Sequence, residues 1–268
     1  MGIRQGIFMH PFINIAIQSA RKASRIMLQS FDRLDDLHIT EKSKNDFVTD
    51  IDKQSEQVII ETIRKSYPNH GILAEESEAQ EGDQYTWIID PLDGTTNYIH
   101  GMPHFCISIA VKDQKEMIAG VIFDPIKNEL FMAAKGEGAQ LDNRKIRVSS
   151  CKKMDGALLC TGFPFRNKEC MPAYFKTLEN IFSEAGDIRR TGSAALDLAY
   201  VAAGRFDGFW EMTLKPWDMA AGSLLILEAG GFISDFKGEK NFLENGNVIA
   251  GNPKIYEALL NAVGKSEK

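Results

Sequence analysis

The 268-residue sequence predicts a layered fold that mixes helices and strands, of the α+β or α/β class. Three observations carry that expectation. Near the start, apolar residues recur at three- and four-residue steps, as one face of a helix requires. From Ile72 onward, short apolar runs are each followed by something polar, as buried strands ending in turns would be. The two patterns then mix to the C-terminus without strict alternation, so sheets and helices must share layers around common cores.

Phe12, Ile15, Ala16, Ala20, Ala23 and Met27 define the first helix, with Arg21, Lys22 and Arg25 between them. Met9-His10-Pro11 is its natural start, which leaves residues 1–8 as a frayed extension. A second helix follows Asp52, with Ile59, Ile63 and Tyr67 on one face and Pro68 as its stop. Strands are expected at Ile72-Leu73-Ala74, Trp87-Ile88-Ile89, 105–111, 117–123 and 130–134, with Asp124-Pro125 opening a turn. In the second half, Leu158-Leu159 and 206–211 read as strands, and 174–182, 193–203 and 218–228 as helices, the last ending at Gly230-Gly231. Val248-Ile249-Ala250 and a helix from Pro253 close the chain. A soft boundary at 149–153 divides residues 1–150 from 151–268.

Composition narrows the function classes. Hydrophobic residues at 44% and charged residues at 25% are globular values, which excludes disordered and fibrous chains. The net charge of −6 is a poor match to nucleic acid or an anionic membrane, both of which reward the opposite sign. Apolar runs such as Leu224-Leu225-Ile226-Leu227 fall far short of the roughly 20 residues that cross a bilayer. Residues 1–8 do not read as a signal peptide. Cys106, Cys151, Cys160 and Cys170 show no C-x-x-C spacing and read as free thiols in a reducing cytoplasm. A soluble cytoplasmic protein is expected.

The chemistry concentrates in Asp90-Pro91-Leu92-Asp93-Gly94-Thr95-Thr96-Asn97. An apolar strand delivers Asp90 at its C-terminal end, where open sheets place ligands. Pro91 fixes one backbone angle and Gly94 accepts a positive φ, so Asp90 and Asp93 can converge with the Leu92 carbonyl between them. Thr95 and Thr96 then open a helix whose amides suit a phosphate. Taken alone, these eight residues suit an ordinary turn equally well. Glu75-Glu76 and Asp218 shift the balance, although each has a plainer role, as a surface acidic pair and a helix N-cap. Together they form an all-oxygen set without His or Cys, which prefers a hard divalent ion, above all Mg2+.

The Glu75-Glu76-Ser77 run, the 90–97 block and Trp217-Asp218-Met219-Ala220-Ala221-Gly222 resemble, in order and spacing, the signatures of the inositol monophosphatases. That family belongs to the lithium-sensitive, Mg2+-dependent phosphatase superfamily, and the likeness runs from His10 to about Val263. Phe209-Trp210-Glu211 and Arg190-Thr191-Gly192-Ser193-Ala194-Ala195-Leu196-Asp197 resemble its bacterial branch.

The resemblance implies an α/β/α/β/α sandwich forming one compact catalytic unit that hydrolyses a small-molecule phosphate ester, myo-inositol monophosphate. It implies that Glu75, Asp90 and the Leu92 carbonyl hold one Mg2+, that Asp90, Asp93 and Asp218 hold a second, and that a third, looser ion sits near Glu75. Mn2+ would substitute and Li+ inhibit. Thr95, supported by Asp52 in the Asp46-Phe47-Val48-Thr49-Asp50-Ile51-Asp52 run, would activate the attacking water with Glu75. Gly94 and Thr95 amides would bind phosphate oxygens, and Gly192, Ser193, Ala194 and Glu211 would line the alcohol side, with Asp93 and Asp218 also facing substrate. A homodimer is implied, with 190–200 as an interface element.

Lys215 stands where animal relatives carry histidine, and the family's loop lysine has two counterparts, Lys42 and Lys44. Arg189 and Arg190 read as surface arginines, with substrate or subunit contact as the alternative. Fructose-1,6-bisphosphatase and 3′-phosphoadenosine nucleotide phosphatase share the metal blocks, but Thr95-Thr96-Asn97-Tyr98 resembles the inositol monophosphatases. A role of another class, as a regulatory partner of transcription antitermination machinery, is implied by some bacterial relatives. Basic clusters at Arg144-Lys145, Arg147 and Lys152-Lys153 are weak support for direct RNA binding against the net charge.

Overall fold

Pro11 presets the first helical φ, and His10 Nδ1 accepts the Phe12 amide at 3.3 Å, so helix α1 (Pro11–Phe31) begins where the sequence places it. A computed structural model describes residues 10–34, 38–43, 46–165 and 167–264 of the chain. Residues 1–8 and Lys44 lie outside that set, as does the side chain of Lys42. A short hairpin, β1 (Ile39–Ser43) and β2 (Asp46–Thr49), follows α1; its polar sequence carries no strand pattern. Helix α2 (Asp50–Ser66) starts two residues before Asp52, because Thr49 is its N-cap and Asp52 reaches back to the Thr49 amide.

A seven-stranded sheet runs in chain order through β3 (Gly71–Ala74), β4 (Thr86–Asp93), β5 (Cys106–Lys112), β6 (Met117–Asp124), β7 (Glu129–Ala134), β8 (Gly138–Leu141) and β9 (Arg144–Lys145). Only β3 and β4 pair in parallel in this sheet; the remaining neighbours are antiparallel. A one-turn helix, α3 (Thr95–Ile99), leaves the end of β4.

The second half carries β10 (Leu158–Thr161), α4 (Met171–Phe182), β11 (Asp187–Arg189), α5 (Ala194–Ala202), β12 (Gly208–Glu211), α6 (Pro216–Glu228), β13 (Phe232–Ser234), α7 (Phe242–Asn245), β14 (Val248–Gly251) and α8 (Pro253–Gly264). Its strands form a five-stranded mixed sheet in the order β11-β10-β12-β14-β13. Helix α6 starts at Pro216, so Asp218 occupies its third position and not the N-cap.

The alternation of side chains along each strand sorts the apolar residues into three cores. Trp87 and Ile89 pack with α1 and α2 on one face of the large sheet. Ile88 faces the other way, into a core built from α5, α6 and Phe209, Val248 and Ala250 of the second sheet. Leu159, Trp210 and Ile249 point to the far side, against Ile181 of α4 and Ile255 and Leu259 of α8. The order is helix, sheet, helix, sheet, helix, the α/β/α/β/α sandwich. Helices α5 and α6 are buried on nearly all sides, as their Ala- and Leu-rich sequences require. No helix among the described residues is long and apolar enough to cross a membrane.

Candidate active site

Strand β4 builds half of the site by breaking its own pairing. Asp90 lies opposite Ser108 and Asp93 opposite Cys106, so three steps along β4 match two along β5. In a regular strand, residues three apart face opposite sides; the extra residue restores Asp90 and Asp93 to one side. Pro91, which has no amide hydrogen to give a ladder, sits in this bulge. The Leu92 amide donates to Asp90 Oδ1 at 3.0 Å. Gly94 then turns the chain at φ +98°, where a Cβ would lie 3.1 Å from the His104 carbonyl oxygen.

Asp218 arrives from α6, its Oδ2 accepting the Lys215 amide at 2.7 Å. Asp90, Asp93 and Asp218 each bring a carboxylate oxygen to within 4.8 Å of the others. Asp90 is 1% exposed. Its carboxyl is pushed well above the ordinary range, first by burial and then by the charges of Glu75, Asp93 and Asp218. Glu75 lines the same cleft as these aspartates. Its neighbour Glu76 is drawn aside, its amide donating to Glu56 Oε2 at 2.8 Å, so the acidic pair divides.

Asp52 does not line the cleft but stands behind Thr95, fully buried. Thr95 Oγ1 lies 3.1 Å from Asp52 Oδ1 and 3.0 Å from the Leu92 carbonyl oxygen, and can donate to either. The other Asp52 oxygen accepts the Thr49 amide at 2.8 Å and the Thr49 hydroxyl at 2.6 Å. Burial pushes the Asp52 carboxyl up to about 6, against the pull of these donors and with the help of the Glu75 charge.

The opposite wall comes from the second sheet and its helices. Ser193 Oγ and the Ala195 amide both donate to Asp93 Oδ2, at 2.6 and 2.7 Å. Gly192, at φ +94°, and Ala194 line the cleft beside Ser193. Glu211, at the end of β12, is buried against Gly162, where a Cβ would fall 2.0 Å from Glu211 Oε1. Burial, then the Asp197 and Asp218 charges, raise its carboxyl well above the usual range, with Arg190 opposing.

Thr96, Thr161, Gly162, Phe165, Arg190, Asp197 and Leu214 also face the cleft. Sequence reasoning placed Thr96 here, as a helix-opening residue beside a phosphate, and Arg190 only as an alternative; it placed none of the other five. Asp197 had a signal, lying inside the 190–197 motif; Phe165 had none. Arg190 sits over the Phe163 ring at 5.7 Å and borders the cleft, whereas Arg189 pairs with Asp187 at the surface. Lys215 is exposed, and it serves Asp218 through its amide. Cys106 and Cys160 are buried, Cys151 and Cys170 partly so, and all four are free thiols.

A family model described as the inositol monophosphatase family matches residues 9–268. The chain is 52% identical over 254 residues to a protein of Escherichia coli K12 named Nus factor SuhB, covering 94% of this chain and 95% of that one. Its fold superposes with a TM-score of 0.93 on the extragenic suppressor protein suhB of Bartonella henselae, at 42% identity over 96% of this chain and 99% of the other. The inositol monophosphatase of Anabaena superposes at 0.85, with 38% identity and 95% of each chain covered.

Proposed function

Because the chain belongs to the inositol monophosphatase family, we propose that it is a Mg2+-dependent phosphomonoesterase that hydrolyses myo-inositol monophosphate to inositol and phosphate. The convergence of Asp90, Asp93 and Asp218, with Glu75 facing Asp90, carries the reading. Crowding these carboxylates raises the energy of their charged forms, and a hard divalent cation relieves that repulsion. The donor set is all oxygen, which fits Mg2+. Asp90, Asp93, Asp218, Glu75 and the Leu92 carbonyl would hold the ions, two or three in number. Mg2+ in such a site supplies Lewis acidity toward the phosphate and the attacking water.

The chain's own residues do the rest. Thr95 Oγ1 orients the water and takes its proton while the hydroxyl proton passes to Asp52, whose carboxyl near 6 is poised to receive it. Glu75 helps to position the water. Gly94 and Thr95 amides bind phosphate oxygens. Gly192, Ser193, Ala194 and Glu211 contact the hydroxyls of the alcohol, assisted by Asp93 and Asp218. Water attacks phosphorus in line, the ester P–O bond breaks, and the departing oxygen takes a proton from solvent, which balances the one that Asp52 gives back to solvent before the next cycle.

The test is a panel of phosphate esters assayed with Mg2+. Preference for inositol monophosphate is expected; preference for fructose 1,6-bisphosphate or a 3′-phosphoadenosine nucleotide would replace this substrate with another of the superfamily. A second reading, a Nus-factor role like that in the name of the Escherichia coli relative, is favoured by the 52% identity. An Asp93→Asn protein that has lost phosphatase activity yet rescues a deletion strain would make binding the physiological role.

A further inference from the structure

We infer that Asn97 is a positioning residue that locks the alcohol-side loop 191–194 against the cation-side block, and so sets affinity for the alcohol part of the substrate. The inference rests on the phosphomonoesterase reading above. Asn97 lies in α3, two residues beyond Thr95, and is 5% exposed. Its amide nitrogen donates to the His104 carbonyl at 2.8 Å and, across 94 residues of sequence, to the Thr191 carbonyl at 3.0 Å. Both hydrogens of the NH2 group are thereby used.

The contact falls at the start of the loop that lines the far wall. Thr191 Oγ1 donates in turn to Asp197 Oδ1 at 2.7 Å, which ties the loop to the first turn of α5. Gly192 packs directly on the asparagine: a Cβ there would lie 2.9 Å from both Asn97 amide atoms. The loop is fastened to the cation side at a second point, through Ser193 Oγ and the Ala195 amide on Asp93 Oδ2. Asp93 has to serve both the loop and the cations, whereas Asn97 serves the backbone alone. The asparagine therefore holds the spacing between the two walls whatever Asp93 is doing. A carboxylate in its place matches its shape but offers no hydrogen to either carbonyl.

The experiment compares inositol 1-phosphate with phenyl phosphate, whose leaving group makes no hydroxyl contacts, at saturating Mg2+. For Asn97→Asp and Asn97→Ala, KM for inositol 1-phosphate should rise about tenfold or more relative to KM for phenyl phosphate, while the ratio of kcat values moves less than about threefold. Thr191→Val, which keeps volume and removes only the donor to Asp197, should shift the same ratio in the same direction to a smaller degree. It carries the test if the Asn97 variants do not fold. Equal losses on both esters, or an unmoved KM ratio in a folded variant, would overturn the role. Failure of the underlying reading looks different: the wild-type protein then shows no preference for inositol 1-phosphate at all, and this inference falls with it.

Discussion

Asp52, behind Thr95, and Asp90, in the cleft itself, are both buried aspartates, yet they have opposite surroundings. Asp52 is wrapped in donors, with the Thr49 amide, the Thr49 hydroxyl and the Thr95 hydroxyl all within reach, and its carboxyl rises only to about 6. Asp90 accepts the Leu92 amide and otherwise faces the charges of Glu75, Asp93 and Asp218, which add to burial in pushing its carboxyl well above the ordinary range. Burial raises both; the difference lies in what surrounds the charge. A carboxylate ringed by protein donors is completed by the protein, and one ringed by other carboxylates is completed by a cation.

The contrast is broken most directly by taking the cation away. EDTA should abolish turnover and Mg2+ restore it, and Mg2+ should raise the melting temperature of the stripped protein because it binds the native form. A stripped protein that keeps its turnover and does not respond to Mg2+ in a melting scan would remove Asp90 from the cation set. Next in size, Asp90→Asn should lower kcat about 10³-fold or more, while the metal-free variant melts no lower than wild type, since the amide relieves a buried repulsion. Asp218→Ala should lose turnover comparably and stability by only about 1 kcal/mol, the value of its bond to the Lys215 amide.

On the other side of the comparison, Asp52→Asn and Thr95→Ala should each lower kcat by about 10²-fold. Combining them should add little, because the two groups act on one proton. Steady-state rates of the double variant check this, and full multiplication of the two losses would separate them. The remaining effect is on the pH dependence of stability. Asp52 titrates near 6 in the fold against an ordinary value of 3.8, so between those values the native state holds more protons than the unfolded chain. Its contribution is present in full below about pH 4 and is lost as the pH rises to 6, by up to about 3 kcal/mol. Urea midpoints of metal-free wild type and Asp52→Asn, compared at about pH 4 and about pH 7, should diverge accordingly; parallel shifts would mean that Asp52 is not held above its ordinary range.

Much of the fold is legible locally. The α1 stripe, the Pro68 stop and the runs at Ile72 and Trp87 specify their elements because each follows one period, 3.6 or 2. Strand β9, with two residues, and β11, with three, carry no period to read, and the β1–β2 hairpin is too polar to announce itself. Helix starts at Asp50 and Pro216 precede the expected ones because an aspartate at the third position reaches back to cap the helix, and the same residue at the cap itself looks identical in sequence.

The site divides along the same line. Asp90, Asp93, Gly94 and Thr95 are contiguous, and their grouping follows from a bulge and a turn that Pro91 and Gly94 dictate within eight residues. That Asp218 joins them, that Glu75 faces the cleft while Glu76 turns to the α2 side, and that Asp197 sits beside Glu211 are matters of how two sheets close on α5 and α6. Local backbone preferences act over a few residues and are written in the sequence. The spacing of carboxylates from elements over a hundred residues apart is set by the packing of three cores, and only the folded chain brings it about.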